Sequence, residues 1–269
     1  MRTDMIVYSL SSKQTLLQND IQKVCEVLLS REIRPIEVRD DSIAFSPQST
    51  HNVSLIISVG GDGTILRAAM LALQMNVPIL GISKGSLGFL AEVELGELGK
   101  SIDQFRDKKF RLDRRNVLEA EIKKKTYFAL NEMVLSGQHL RIIEMDVYVN
   151  NLYLTSYKAD GLVISTSTGS TAYNLSAGGP IVFPDTEVIL ITPICSHSLT
   201  VRPLVISSKD VGRLCPKGEQ WVAIDGRTEM KAPSSLNIKL SEKTVQFIRF
   251  NQDYFVEGLR NKLSWSGKM

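Results

Sequence analysis

Cysteine and histidine are both scarce in this chain of 269 residues, three of each. Cys25, Cys195 and Cys215 are odd in number and far apart, with no Cys-x-x-Cys spacing. His51, His139 and His197 form no His-x-x-x-His ligand pair. Neither a disulfide framework nor a zinc site is expected, and a reducing cytoplasm is the expected compartment. An excess of one charge is also missing: 32 Lys and Arg stand against 29 Asp and Glu, a net charge of +3. The dense basic block Lys123-Lys124-Lys125 reads as a solvated turn, so no nucleic-acid partner is expected. Long apolar runs are missing too. The most apolar window, 65–82, is interrupted by Arg67, Gln74, Asn76 and Pro78, whereas a spanning helix needs about 20 predominantly apolar residues. Behind Met1-Arg2-Thr3-Asp4 there is no apolar stretch and no small-residue cleavage site, so neither a leader nor a membrane partner is expected. Glycine and proline are at ordinary usage, and 43% apolar residues suffice for a real core.

The texture of the chain changes near residue 110. Before it, short apolar runs alternate with helical periods. Met5–Tyr8, Ile36–Val38, Leu55–Val59 and Pro78–Ile82 read as strands. Leu17, Ile21, Val24 and Leu28 mark one helix face, and 65–74 and 99–109 read as two further helices. Leu55–Val59 is too apolar for a one-sided sheet, which predicts parallel strands covered on both faces. From Phe110 onward the helical period nearly vanishes. Val117–Ile122, Tyr127–Leu135, Val147–Val149, Leu152–Leu154, Leu162–Ile164, Val188–Ile191, Leu204–Ile206, Trp221–Ile224, Leu236–Leu240 and Val245–Phe250 read as short strands. Asn150-Asn151 suits a two-residue hairpin turn, because Asn tolerates positive φ. Phe255, Leu259 and Leu263 restore a helical spacing at the end. The expected fold class is an N-terminal parallel-sheet α/β domain, 1–109, then a β-sandwich, 110–251, with a terminal helix, 252–269, packing back on the first domain.

The strongest local signal is Gly60-Gly61-Asp62-Gly63-Thr64, between the buried-type strand and the helix after it. Ligands of open α/β sheets bind at the carboxyl ends of strands. Glycines there let backbone N–H groups approach an anion, and the helix N-terminus adds partial positive charge. The plain alternative is a tight turn with Asp62 or Thr64 capping the helix. Neither Gly-x-x-x-x-Gly-Lys-Ser/Thr nor Gly-x-Gly-x-x-Gly occurs.

The pentapeptide resembles the signature shared by NAD kinases, diacylglycerol and sphingosine kinases, and 6-phosphofructokinases. Lipid kinases usually continue with Asn-Glu, whereas Ile65-Leu66-Arg67 follows here, as in NAD kinases. Gly81–Leu90, Leu130-Asn131-Glu132, Lys158-Ala159-Asp160-Gly161, Ser165–Pro180, Thr192–Leu199, Arg202-Pro203, Ile224-Asp225-Gly226 and Leu259–Trp265 resemble further NAD-kinase segments, in the family's order. The most specific of these is Ser165–Pro180, which contains Thr171-Ala172-Tyr173-Asn174-Leu175-Ser176.

The resemblance implies transfer of the γ-phosphoryl of ATP, or of another nucleoside triphosphate or polyphosphate, to the 2′-hydroxyl of the adenosine ribose of NAD. It implies Asp62 facing that hydroxyl, with Gly60, Gly61, Gly63 and Thr64 around phosphates and Mg²⁺ offsetting their charge. An ordinary aspartate, of pKa about 3.9, is a weak base for an alcohol, so it orients the hydroxyl and accepts its proton late in a loose transition state. Arg67 is a candidate phosphate contact, otherwise an exposed helix charge. Asn131 and Glu132 have the donor and acceptor types that ribose hydroxyls and an adenine edge need. Asp160 is a candidate acceptor for an amide or amine, and Lys158 a candidate anion contact. Thr171, Ala172, Tyr173, Asn174, Leu175 and Ser176 are implied to line the dinucleotide pocket, with Asp225 at its edge. His197 reads as structural. The family's habit of self-association implies a homodimer or homotetramer.

Three residues depart from the family pattern: Ser83 for Asn or His, Ser167 for Pro, and Arg227 for Gln. The last adds charge near phosphates. Two other readings are a lipid kinase of the same superfamily, against which the Thr-Ala-Tyr-Asn run counts, and a non-catalytic nucleotide sensor, against which Asp62 counts.

Overall fold

The computed structural model describes residues 4–9, 15–39, 52–83, 88–138 and 141–265. His51, His139, the Lys84–Leu87 part of the Gly81–Leu90 segment and the Leu17 side chain lie outside the described residues. The chain divides into two compact units, Met1–Arg114 with Val245–Met269, and Arg115–Thr244.

In chain order, the first unit contains β1 (Asp4–Ser9), α1 (Thr15–Leu29), β2 (Arg34–Arg39), β3 (Val53–Val59), α2 (Asp62–Met75), β4 (Ile79–Ser83), β5 (Val93–Glu94) and α3 (Leu98–Arg106). The strands run parallel in the order β4-β3-β1-β2, with Ile6 between Ile36 and Ile56, and Ile57 opposite Leu80. Leu55, Ile56 and Ile57 are fully buried, as a run apolar on both faces requires. Ile21, Val24 and Leu28 of α1 bury the predicted stripe. On α2 the buried face is Thr64, Ile65, Ala68, Ala69, Ala72 and Leu73. Its alanines let the helix sit close to the sheet. The helix stops at Asn76, which takes the left-handed conformation (φ 52) and sends its N–H to the carbonyl of Ala72.

The second unit is built on antiparallel strands: β6 (Arg111–Ile122), β7 (Lys125–Ala129), β8 (Glu132–Gly137), β9 (Ile143–Val149), β10 (Leu152–Ala159), β11 (Gly161–Thr166), β12 (Val188–Ile194), β13 (Leu204–Ser207), β14 (Gly212–Lys217), β15 (Gln220–Ile224), β16 (Thr228–Lys231) and β17 (Leu236–Arg249). A single-turn helix, α4 (Tyr173–Ser176), follows a 3-10 turn at Thr168–Thr171. One sheet runs β13-β12-β11-β8-β15-β16. It shares a core with β6, β9, β10, β14 and the first part of β17, through Leu118, Met145, Val147, Leu162, Ile191, Val222 and Ile238. Two sheets closing on one apolar layer make the predicted sandwich. The expected Asn150-Asn151 turn is present, both residues with positive φ. Lys123 and Lys124 do the same between β6 and β7, so the basic block is a hairpin turn.

The last residues of β17 belong to the first unit, where Phe247 pairs in parallel with Ile79. There the terminal helix α5 (Tyr254–Lys262) returns. It packs Phe255 against Phe89 with ring centroids 5.9 Å apart.

Candidate active site

In the first unit the glycine loop is where the sequence places it, between the end of β3 and the start of α2. Gly60 donates its N–H to the carbonyl of Ile82 at 3.0 Å. Its φ of +149° and the Thr64 side chain beside it leave no room for a Cβ. Gly61 and Gly63 have open space where a side chain would stand, so their backbone is accessible. Gly61 caps α2 with its backbone alone, accepting from Thr64 at 2.9 Å and Ile65 at 3.2 Å. The helix therefore begins at Asp62, earlier than the apolar period suggests.

Asp62 does not cap the helix. Its Oδ2 accepts the N–H of Phe89 at 3.2 Å and its Oδ1 that of Leu90 at 3.3 Å. Lys262, the last residue of α5, brings Nζ to 3.4 Å from Oδ2. Gly88 is tight against this carboxylate, and a Cβ there would overlap Oδ1. The Phe89-Leu90 segment is held from behind by Arg249. Its guanidinium donates to the carbonyls of Leu90 at 2.9 Å and Phe89 at 3.5 Å, and to Asp113 at 3.1 Å. Glu92 is 3.5 Å from Arg249 and also accepts the N–H groups of Phe250 and Asn251. Tyr254 donates its hydroxyl to Asp113 at 3.1 Å and lies 4.0 Å from the guanidinium, ring centroid to Cζ. Arg249 is buried, and these partners supply the compensation that a buried cation requires. Arg67 is half-buried on α2, one turn after the loop.

In the second unit the Asn-Glu pair sits at the break between β7 and β8. Asp225, with φ 47 and a fully buried side chain, accepts three successive N–H groups: Leu130 at 2.9 Å, Asn131 at 2.8 Å and Glu132 at 3.2 Å. Arg227 lies 3.5 Å from the same carboxylate. Burial pushes the Asp225 carboxyl up, against the pull of the three N–H groups and Arg227. Glu132 is pushed up to about 7, chiefly by burial and then by the charge of Asp225, while the Tyr173 N–H pulls the other way. Its Oε2 is buried without a hydrogen-bond partner.

The Ser165–Pro180 run builds the wall beside this pair. Thr166 donates its hydroxyl to the Leu130 carbonyl at 2.6 Å, and Ser165 to that of Asn131 at 3.1 Å. Gly169 packs so closely on the Asn131 carbonyl that a Cβ would collide with it. Asn174 is fully buried. It donates to the carbonyls of Ser170 and Pro180 and accepts from Thr192 at 2.7 Å, and Gly179 leaves room for it. Thr171, Ala172 and Leu175 are half-buried, whereas Tyr173 and Ser176 are exposed. The run thus has an internal staple, Asn174, and an outward face at Tyr173 and Ser176. Lys158 and Asp160 are both exposed near the end of β10. The His197 Nε2 lies 3.7 Å from Asp160.

Two residues without a role of their own in the motifs, Lys262 and Arg249, reach Asp62, one directly and one through Phe89-Leu90. Lys262 stands within the family-like segment Leu259–Trp265, and the sequence signal for it is a basic residue at a helix end. Among the described residues no group of three His, Cys, Asp or Glu side chains could hold a metal ion.

A glycine loop at a helix N-terminus with a carboxylate held beside it, in an α/β unit, and a second unit of antiparallel strands with clamped polar groups define an α/β-plus-β protein. Comparison with known proteins makes the assignment specific. Residues 5–110 match the ATP-NAD kinase N-terminal domain, and residues 130–250 the ATP-NAD kinase C-terminal domain. The NAD kinase of Clostridium botulinum Loch Maree, type A3, is 38% identical over 242 residues, covering 87% of this chain and 86% of that protein. That of Caldicellulosiruptor saccharolyticus is 33% identical over 263 residues, covering 96% and 99%. The chain belongs to the ATP-NAD kinase family. Two solved structures have the same fold. Yeast NADH kinase complexed with NADH has a TM-score of 0.83 at 21% identity, covering all of this chain and 89% of that one. An Archaeoglobus fulgidus NAD kinase in complex with ATP has a TM-score of 0.80 at 24% identity, covering 97% and 98%.

Proposed function

We propose that this chain transfers the γ-phosphoryl of ATP to the 2′-hydroxyl of the adenosine ribose of NAD, giving NADP and ADP. The observation that carries this reading is the Asp62 carboxylate, oriented by two backbone N–H groups beside the open glycine loop. In the step, the ribose 2′-oxygen bonds to the γ-phosphorus. The bond from that phosphorus to the β,γ-bridging oxygen breaks, with its electrons going to ADP. The hydroxyl proton passes to Asp62. In a loose transition state this transfer comes late, so a carboxylate suffices. The open backbone of Gly61 and Gly63 at the start of α2 receives phosphates, with Gly60 and Thr64 packed beneath it to shape the loop, and Arg67 reaches one from the next turn. A magnesium ion brought in with the nucleotide would offset phosphate charge. An ion held largely through substrate phosphates and water needs few protein ligands, which fits a loop region with a single carboxylate, Asp62.

Asn131 and Glu132 hold the ribose hydroxyls and the adenine edge, and Tyr173 gives a stacking face next to Thr171, Ala172, Leu175 and Ser176. Asp225 and Asn174 serve the same ligand by fixing the backbone that carries these groups. Lys158 and Asp160 are the polar contacts at the end of β10. The division of labour at 109/110, with 252–269 serving the first domain, is part of the same reading. It is supported by family matches that end and begin at residues 110 and 130. Self-association to a dimer or tetramer is supported by Leu152, Tyr153 and Leu154, all exposed on the edge strand β10. Cytoplasmic location is supported by three unpaired cysteines. No helix among the described residues is long and apolar enough to cross a membrane.

The deciding experiment supplies ATP, Mg²⁺ and NAD and couples the product to an NADP-specific dehydrogenase. NADP formation well above an Asp62→Asn control is expected, and equal rates in the two would sink the reading. Parallel runs with NADH and with polyphosphate define acceptor and donor range. A single 29.9 kDa species on a sizing column at micromolar concentration would contradict self-association.

A further inference from the structure

We infer that Lys262 is a further catalytic residue, resting on Asp62 in the free protein and moving to the transferring phosphoryl when ATP is bound. This rests on the kinase reading above.

Three observations converge on it. Its ammonium is 3.4 Å from Oδ2 of Asp62, so it stands at the carboxylate that would face the acceptor hydroxyl. It lies 5.1 Å from the ring centroid of Phe89, the residue whose N–H donates to that same Oδ2. The face of that ring thereby gives the ammonium a second attraction beside the carboxylate. Gly61 and Gly63, at the start of α2, leave open space where side chains would otherwise fill the loop.

A purely structural role accounts for this placement poorly. Lys262 and Asp62 are each about one-third exposed, at 37% and 31% of side-chain area. Exposed pairs of this kind contribute at most about 1 kcal/mol to stability. The packing of α5 is secured elsewhere, by Phe255 and Leu259, which are buried, and by Gly258 in tight contact with Phe89. Phosphoryl transfer, in contrast, spreads charge over three equatorial oxygens and is stabilised by cationic groups beside them. A lysine has three donors on a flexible stem, and this one spends a single donor on Asp62. Its transfer from carboxylate to phosphoryl keeps the cation in the site throughout, and it frees Oδ2 to accept the hydroxyl proton.

The test compares Lys262→Met, Lys262→Arg and the neighbouring Arg260→Met with the parent, in the full chain, using ATP, Mg²⁺ and NAD. Removing a charge-stabilising donor from a transition state typically costs about 100-fold or more in kcat. Lys262→Met is expected to lose about that much, with KM for NAD within about twofold and a thermal midpoint within about 2 °C of the parent. Lys262→Arg is expected to recover at least about tenfold over Lys262→Met, and Arg260→Met to run at the parent's rate. A Lys262→Met kcat within about threefold of the parent overturns the inference. So does a loss that Lys262→Arg fails to relieve, or one that comes with a lowered thermal midpoint. Asp62→Asn separates the two levels. A parent no faster than Asp62→Asn defeats the kinase reading and this inference together. An active parent, an inactive Asp62→Asn and a parent-like Lys262→Met defeat this inference alone.

Discussion

Asp225 accepts the backbone N–H of Asn131 at 2.8 Å, from a position 94 residues further along the chain. The neighbouring N–H groups of Leu130 and Glu132 converge on the same carboxylate. The break between β7 and β8 would otherwise leave these donors buried and unpaired. Each unsatisfied buried donor costs about 1–3 kcal/mol. Asp225→Ala is therefore expected to lower unfolding free energy by about 3 kcal/mol or more, read as a shifted urea midpoint. The surviving folded enzyme should show a raised KM for NAD. Asp225→Asn keeps an acceptor and tolerates the positive φ, so it should fall between Ala and the parent. Equal stability of Asp225→Ala and the parent would show that the clamp carries no load.

Glu132 gives the pH dependence of the same corner. Its pKa rises from 4.5 to about 7 on folding. The folded state then binds more protons than the unfolded state between those values. Stability contributed by the protonated form is fully present below about 4.5 and is lost as pH rises through about 7. Thermal midpoints of the parent should fall across that window more steeply than those of Glu132→Gln, which cannot ionise. Parallel curves for the two would place the carboxyl's proton elsewhere.

Behind Asp62 the structure predicts a positioning effect that a surface reading would miss. Arg249 reaches Asp62 through the carbonyls and amides of Phe89 and Leu90. Arg249→Met leaves Asp113 and Glu92 as buried carboxylates without their cation, a loss of about 3–5 kcal/mol. Arg249→Lys keeps the charge without the planar fork. It should retain more stability than Arg249→Met and still show a reduced kcat with little change in KM. Chemical denaturation and steady-state kinetics on the two variants check this. A parent-like kcat in Arg249→Lys would uncouple the guanidinium from Asp62.

These relationships mark the limit of what the sequence displays. The glycine loop, the apolar strand before it and the Asn150-Asn151 turn are local patterns, and each was legible. Segments whose identity depends on neighbours were not. Tyr127–Leu135 reads as one β-rich run but breaks at Leu130-Asn131, because those amides turn to Asp225. Leu236–Leu240 and Val245–Phe250 read as two runs, yet the polar link Ser241–Thr244 continues the strand as β17. β14 carries Pro216 and β16 is almost wholly polar, so neither alternates visibly. Lys262 lies 200 residues from Asp62, and no periodicity connects them. In the candidate site the residue types were legible from the motifs, whereas the clamps that hold them, Asp225 and Arg249, belong to tertiary structure.

Gly88 separates catalytic geometry from stability most cleanly. A Cβ there would overlap Oδ1 of Asp62. Gly88→Ala therefore acts on that one carboxylate. That side chain is partly exposed, so it can swing away at a cost of about 1 kcal/mol. The variant should stay folded, with a thermal midpoint close to the parent's. Its kcat should fall at least about tenfold, because a displacement of about 1 Å at a reacting group is enough for that. Gly61→Ala gives the contrasting case. Its Cβ meets nothing in the free protein and its φ of −82° is ordinary, so stability is unchanged. An added methyl would instead obstruct phosphates approaching the loop, and the expected loss is in KM for ATP rather than in kcat. Kinetics on the pair decide the matter. If Gly88→Ala raised KM for ATP and left kcat intact, Asp62 would belong to phosphate binding rather than to the hydroxyl it is proposed to face.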